Sequence, residues 1–169
     1  MKRLYILRHA KSSWTDSNLS DFERPLNDRG EKAAPFMGRL AAERELLPAQ
    51  IISSPARRAA STAELFKNAA GMSAEIRFDD RIYEASPQAL YQVTSDLVDD
   101  PASAMIVGHN PGIEGFIRAL TGKTERMPTA ALAVVNLAIE NWSEISNGCG
   151  TLVQVIRPKE QIHSTGKSN

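Results

Sequence analysis

The 169 residues hold 20 Lys and Arg against 20 Asp and Glu, so no net field draws in nucleic acid or an acidic membrane, and any anion binding must be local. At 42% hydrophobic and 24% charged the chain reads as one soluble domain with a sizeable core, 1–158, followed by a flexible tail, 159–169. Its one cysteine, Cys149, rules out a disulfide framework and a Cys-rich metal site. No apolar run nears the roughly 20 residues that cross a bilayer, and the apolar stretch behind Met1-Lys2-Arg3 is too short for a secretory leader, so a cytoplasmic protein is expected.

Leu4-Tyr5-Ile6-Leu7 is a short apolar run that predicts a strand buried on both faces. It delivers Arg8 and His9 to the C-terminal edge of a sheet, where open α/β folds place their sites. Lys11 to Glu23 is polar and predicts a loop leaving that edge. Ser12 and Asn18 are its candidate hydrogen-bond donors to a ligand.

Asn27 suits an N-cap, with Asp28 and Glu31 in the first turn of a helix. Ala33, Met37, Leu40 and Leu47, with Phe36 beside them, give that helix its apolar stripe. Pro35 predicts a kink or a later start, and Pro48 the end. Ile51-Ile52-Ser53 predicts a strand. Ser54 and Pro55 read as N-cap and first residue of the next helix, which runs through Ala59, Ala63 and Phe66 to a stop at Gly71. Arg57 and Arg58 then lie in a first turn where cations oppose the helix dipole. Either they are solvated, or one shares an anion with the helix N-terminus.

Ala74 to Phe78 predicts a third strand, and Ser86-Pro87 opens a helix with Leu90, Val93 and Leu97 on its apolar side. Ala104 to Val107 is another fully apolar strand. It ends in Gly108-His109-Asn110-Pro111-Gly112, and a helix through Phe116, Ile117 and Leu120 follows. Leu132 to Ile139 and Thr151 to Ile156 predict a hairpin, or an antiparallel edge on a mostly parallel sheet. The expected architecture is a three-layer α/β/α domain.

Three strand ends therefore carry Arg8-His9, the turn from Ser54 to Arg58, and His109. An arginine fork matches phosphate geometry. A neutral imidazole can attack phosphorus and hold the phosphoryl group covalently. A second, protonated imidazole can stabilise charge on the equatorial oxygens. A metal site is the competing use of such histidines, and the arginines beside His9 argue against a dication there.

Leu7-Arg8-His9-Ala10 resembles the Arg-His-Gly signature of the histidine phosphatase superfamily, whose fold is phosphoglycerate-mutase-like. Ser54 to Ala63 resembles its Ser-Pro-x-x-Arg-Ala-x-x-Thr-Ala motif, and Val107 to Gly112 its second-histidine motif. Arg8 to Trp14, Arg24-Pro25-Leu26 and Tyr83 to Ser86 are similar to the small SixA-type phosphohistidine phosphatases. The resemblance runs from residue 1 to about Ile156. It implies that His9 is the nucleophile, that Arg8 and Arg58 clamp the phosphate, that His109 is the second histidine, and that Arg57 is a surface residue. Ala10 replaces the wider family's glycine, as in the SixA-type group.

Larger members use a carboxylate as general acid after the third strand, and Glu84 is the nearest candidate; its bland alternative is a solvated or capping carboxylate. The expected substrate is phosphohistidine on a protein, such as a histidine phosphotransfer domain. That leaving group needs an acid less than an alkoxide does, and a chain of this size has no room for a long lid. No cofactor and no metal are expected. The rivals are a small-molecule phosphomonoester phosphatase using Glu84, and a non-catalytic phosphate-binding module.

Overall fold

The computed structural model describes residues 1–161; His163 and the rest of the expected tail from 162 lie outside the described residues. Six strands form one sheet: β1 (Lys2–Arg8), β2 (Ile51–Ser53), β3 (Ile76–Phe78), β4 (Ser103–Gly108), β5 (Leu132–Leu137) and β6 (Gly150–Ile156). Their order is β3-β2-β4-β1-β5-β6. The first four are parallel, and β5 pairs antiparallel with both β1 and β6. The expected hairpin and the expected antiparallel edge are thus the same object.

Helices α1 (Asp28–Glu43) and α2 (Arg57–Ala70) cover one face; α3 (Pro87–Ser95) and α4 (Gly112–Thr121) cover the other. Right-handed crossovers explain the split, because β1 to β2 to β3 steps one way along the sheet and β3 to β4 steps back. Alternate residues of β1 feed the two cores: Leu4 and Ile6 pack towards α3 and α4, Tyr5 and Leu7 towards α1 and α2. Among the described residues, no helix is long and apolar enough to cross a membrane.

Three local expectations change. Asn27 does cap α1, accepting from the Gly30 amide, but the helix starts there and runs unbroken past Pro35 to Glu43. The bond that Pro35 cannot donate would have gone to Glu31, an exposed residue. Its buried stripe is Ala34, Met37 and Ala41, and Leu47 lies beyond the helix, partly exposed. The helix stops well before Pro48, where Glu45 turns to φ 57°. The third correction is at α2, whose N-cap is Ala56 rather than Ser54.

The α1–α2 contact depends on Gly38. A β-carbon there would sit 2.3 Å from the Phe66 carbonyl oxygen, which is helix backbone and cannot move alone. Helix propensity favours Gly38→Ala by about 1 kcal/mol. The forced separation of two packed helices costs about 1–3 kcal/mol and should outweigh it. The urea midpoint of Gly38→Ala is expected to fall with an unchanged m-value; a raised midpoint would refute this packing.

Candidate active site

The sheet register sets the site. Arg8 pairs with Gly108 across β1 and β4, so His9 and His109 are the first residues past the ends of adjacent parallel strands. Strands of a sheet lie roughly 4.8 Å apart, and the two imidazole centroids are 5.1 Å apart. On the other side of β4, Ser53 pairs with Val107, which brings Ser54 level with the same edge. Ser54 Oγ lies 2.8 Å from His109 Nε2 and accepts from the Ala56 amide at 3.2 Å, short of the helix, which is capped at Ala56.

The backbone binds these ends together. The His9 amide donates to the Gly108 carbonyl, Ser54 to Val107, and Ala130 to both Arg8 and His9. Thr62, buried on α2, accepts from the Ala10 amide and donates to the Arg58 carbonyl. Beyond the turn, Asn110 Nδ2 donates to Glu114 and to the Met127 carbonyl, and Arg8 Nη1 donates to that same carbonyl at 2.9 Å.

His9 is 7% exposed, and its Nδ1 lies 2.7 Å from the carbonyl oxygen of Ala10. A carbonyl only accepts, so Nδ1 carries the proton and Nε2 keeps a free lone pair. Burial pushes the His9 pKa down from 6.5 to about 3, with help from His109, Arg58 and Arg8. Burial and Arg58 likewise hold His109 at about 4. Both rings are therefore neutral at pH 7 in the free protein. A dianion arriving between them favours the charged form and would raise His109 again.

Arg58 is buried at the start of α2, and its partner was not visible in the sequence. Asp21, in a single helical turn (Asp21–Glu23), accepts from Arg58 Nη2 at 2.9 Å and from the Tyr83 hydroxyl at 2.6 Å. Arg58 Nη1 also donates to the Asp21 carbonyl. The other carboxylate oxygen accepts from Arg24. The Tyr83 hydroxyl, then the two arginines, hold Asp21 well below the usual carboxylate range, and the same bond pushes Tyr83 up to about 12. Tyr83 stands edge-on to His109, and Phe22 edge-on to Tyr83.

Arg8, His9, Arg58 and His109 are thus brought to one point. Ser12 is buried nearby, but its hydroxyl accepts from Arg24 at 2.5 Å. Asn18 is exposed on the loop, and its amide nitrogen bonds to Asp16. Glu84 follows Tyr83, exposed, with its backbone at φ 53°. Arg57 is exposed, reaching the Glu23 carbonyl at 3.5 Å. Among the described residues, no three His, Cys, Asp or Glu side chains converge as metal ligands would.

The depressed imidazoles have a consequence for stability. Unfolding restores an ordinary pKa near 6.5, so the unfolded chain binds protons below that pH which the folded chain refuses until about 3 or 4. The contribution is fully present above pH 6.5 and is lost as pH falls through the window, at up to about 1.4 kcal/mol per pH unit for each histidine. The urea midpoint is expected to drop between pH 7 and pH 5, and less steeply in His9→Ala. A midpoint flat across that range would contradict neutral buried rings.

Comparison with known proteins places this geometry. The family profile described as histidine phosphatase superfamily (branch 1) matches residues 4–100. An uncharacterised Mycobacterium tuberculosis protein is 31% identical over 160 residues, spanning 87% of this chain and 96% of its own. The crystal structure of an Agrobacterium tumefaciens protein provisionally described as the phosphohistidine phosphatase SixA superposes with a TM-score of 0.78 at 29% identity, covering 93% of this chain and 98% of that one. The protein histidine phosphatase SixA in complex with tungstate shares the fold, with a TM-score of 0.81 at 19% identity over 94% of this chain and 99% of its own.

Proposed function

Because this chain belongs to the histidine phosphatase superfamily and is a phosphatase, we propose that its substrate is phosphohistidine on a protein and that His9 is its nucleophile. The observation that carries the reading is the state of His9. It is neutral, its Nδ1–H is fixed on Ala10, its ring stands 5.1 Å from that of His109, and the charges of Arg58 and Arg8 both disfavour its protonation.

In the first step Nε2 attacks phosphorus, the bond to the departing imidazole breaks, and that imidazole takes up a proton. In the second, water attacks the phosphoryl group on His9, the P–Nε2 bond breaks, and inorganic phosphate leaves. Arg8 and Arg58 hold the non-bridging oxygens in both steps. His109, protonated as the anion enters, stabilises the equatorial charge. Arg58 is already bound to Asp21, so an arriving phosphate shares its guanidinium with that carboxylate or displaces it.

A small phosphate ester is the second reading, favoured by Glu84. A residue of this type at φ 53° is strained, and such strain collects at functional sites. It follows Tyr83 in the chain, and the Tyr83 ring stands edge-on to His109.

The test is turnover of a phosphohistidine-carrying protein beside a panel of phosphate esters, with base quenching to capture labelled enzyme. Phosphohistidine turnover well above every ester, and a base-stable, acid-labile label on the chain, are expected. Faster release from esters that is lost in Glu84→Gln would move the assignment to the second reading.

A further inference from the structure

We propose that a basic groove beside the catalytic edge holds an acidic segment of the phosphorylated protein substrate. This rests on the phosphohistidine reading and names the partner's chemistry. The groove has a volume of about 720 Å³ and opens between α1, the segment that enters β5 and the segment that leaves β6. Its position follows from the register. Leu7 pairs with Leu132, and Leu132 with Ile156, so Arg157 leaves the sheet at the same edge as Arg8. Two strand spacings separate them, roughly 10 Å. Lys11, two residues past His9, lines the end nearest the histidines, and Pro128 and Thr129 lie between Arg8's partner Met127 and His9's partner Ala130.

The lining is cationic over an apolar floor. Arg29, Lys32 and Arg39 descend one side of α1 at helical spacing, over roughly 15 Å. Arg126 and Lys159 face them, and Phe36, Pro128 and Pro158 line the apolar part. Glu160 is the carboxylate of the lining; it stands 3.9 Å from Arg126 and 4.0 Å from Arg157. Arg157 is further committed to Glu125 and the Arg126 carbonyl.

Among the described residues, Lys11, Arg29, Lys32, Arg39 and Lys159 make no ion pair. In a chain with as many acids as bases, this gathering is a local excess. Like charges spaced along one helix face repel, and a complementary anion relieves that repulsion. Residues 162–169 contain no Asp or Glu side chain to supply it. A phosphate site would focus backbone amides and forked donors on one point. Here the cations are strung along the groove with apolar surface between them, the complement of an extended acidic peptide with apolar residues interleaved.

The probes are two fluorescent 14-residue peptides, one of alternating Glu and Leu and one with Ser replacing Glu, measured by anisotropy against the whole protein and against Lys32→Glu/Arg39→Glu. Both altered residues are exposed and make no ion pair among the described residues. The acidic peptide is expected to bind the unaltered protein at least about tenfold more tightly than the Ser peptide, with the difference lost in the variant and weakened by salt. Turnover of phosphoramidate, which has no peptide to dock, should be the same in both proteins. Equal binding of the two peptides would overturn the proposal, as would an acidic preference that survives charge reversal. Displacement of nothing by the peptide but tight binding of pyrophosphate at Lys32 and Arg39 would also overturn it, in favour of a small-anion site. Peptide binding is read without catalysis, so failure of the phosphohistidine reading appears separately, as absent turnover of phosphohistidine.

Discussion

His9→Ala is expected to lower kcat/KM for phosphohistidine by about 10⁴-fold or more and to leave no labelled enzyme after quenching. The effect should be of this size because in the proposed mechanism the imidazole is the one group that forms and breaks a bond to phosphorus in both steps, while the arginines and His109 bind and polarise. The fold should survive, since the His9 side chain makes its hydrogen bond to the carbonyl of the very next residue and ties no two elements together. The backbone bonds at this position, from its amide to Gly108 and from Ala130 to its carbonyl, do not involve the ring. Inorganic phosphate should still bind the variant, because Arg8 and Arg58 remain. Calorimetric phosphate binding with activity gone would assign the loss to chemistry. Residual activity within tenfold of the unaltered protein would remove His9 from the nucleophile's place.

Arg58→Ala is expected to cost about 10²–10³-fold in kcat/KM, the range for loss of one preorganised donor. Two effects combine. The phosphoryl oxygens lose a fork, and Asp21 loses the cation that faces it, leaving a carboxylate to repel the incoming dianion. Arg58→Lys should recover little, because a single ammonium cannot span both the Asp21 carboxylate and its carbonyl as the guanidinium does. The double change Asp21→Asn/Arg58→Ala should be less damaging than the product of the single effects, since Asp21→Asn removes the repulsion that Arg58→Ala exposes. Strict additivity of the two, or a fully active Arg58→Lys, would show that Arg58 acts independently of Asp21.

The convergence of Arg8, His9, Arg58 and His109 was legible because each sits at or just past a strand end or within a helix's first turn, inside a short run whose residues are contiguous. Ser54 was misplaced for a physical reason. Ser-Pro ahead of a helix is an N-cap pattern, and only the pairing of β2 with β4 shows that its hydroxyl meets His109, 55 positions away. Asp21 gave no signal at all. It lies in a polar loop without periodicity, and its partners Arg58 and Tyr83 are 37 and 62 residues distant. The extent of α1 was misjudged because proline carries a strong local penalty, which a helix packed on α2 through Gly38 absorbs. The groove's cations were each visible, but α1 and the two segments opposite are more than 80 residues apart in sequence.

Strand β1, which ends beside His9, is paired on both sides, with β4 from Arg3 to Arg8 and with β5 from Lys2 to Leu7. Its amides should therefore be among the last in the chain to exchange with deuterium, opening only with the global transition, while those of the edge strands β3 and β6 exchange through smaller fluctuations. His9 then rides on the slowest-opening unit of the protein, whereas Asp21 rides on a surface turn. On warming, the hold of Asp21 on Arg58 should loosen long before β1 opens, so the orientation of Arg58 should be lost before the positions of Arg8 and His9.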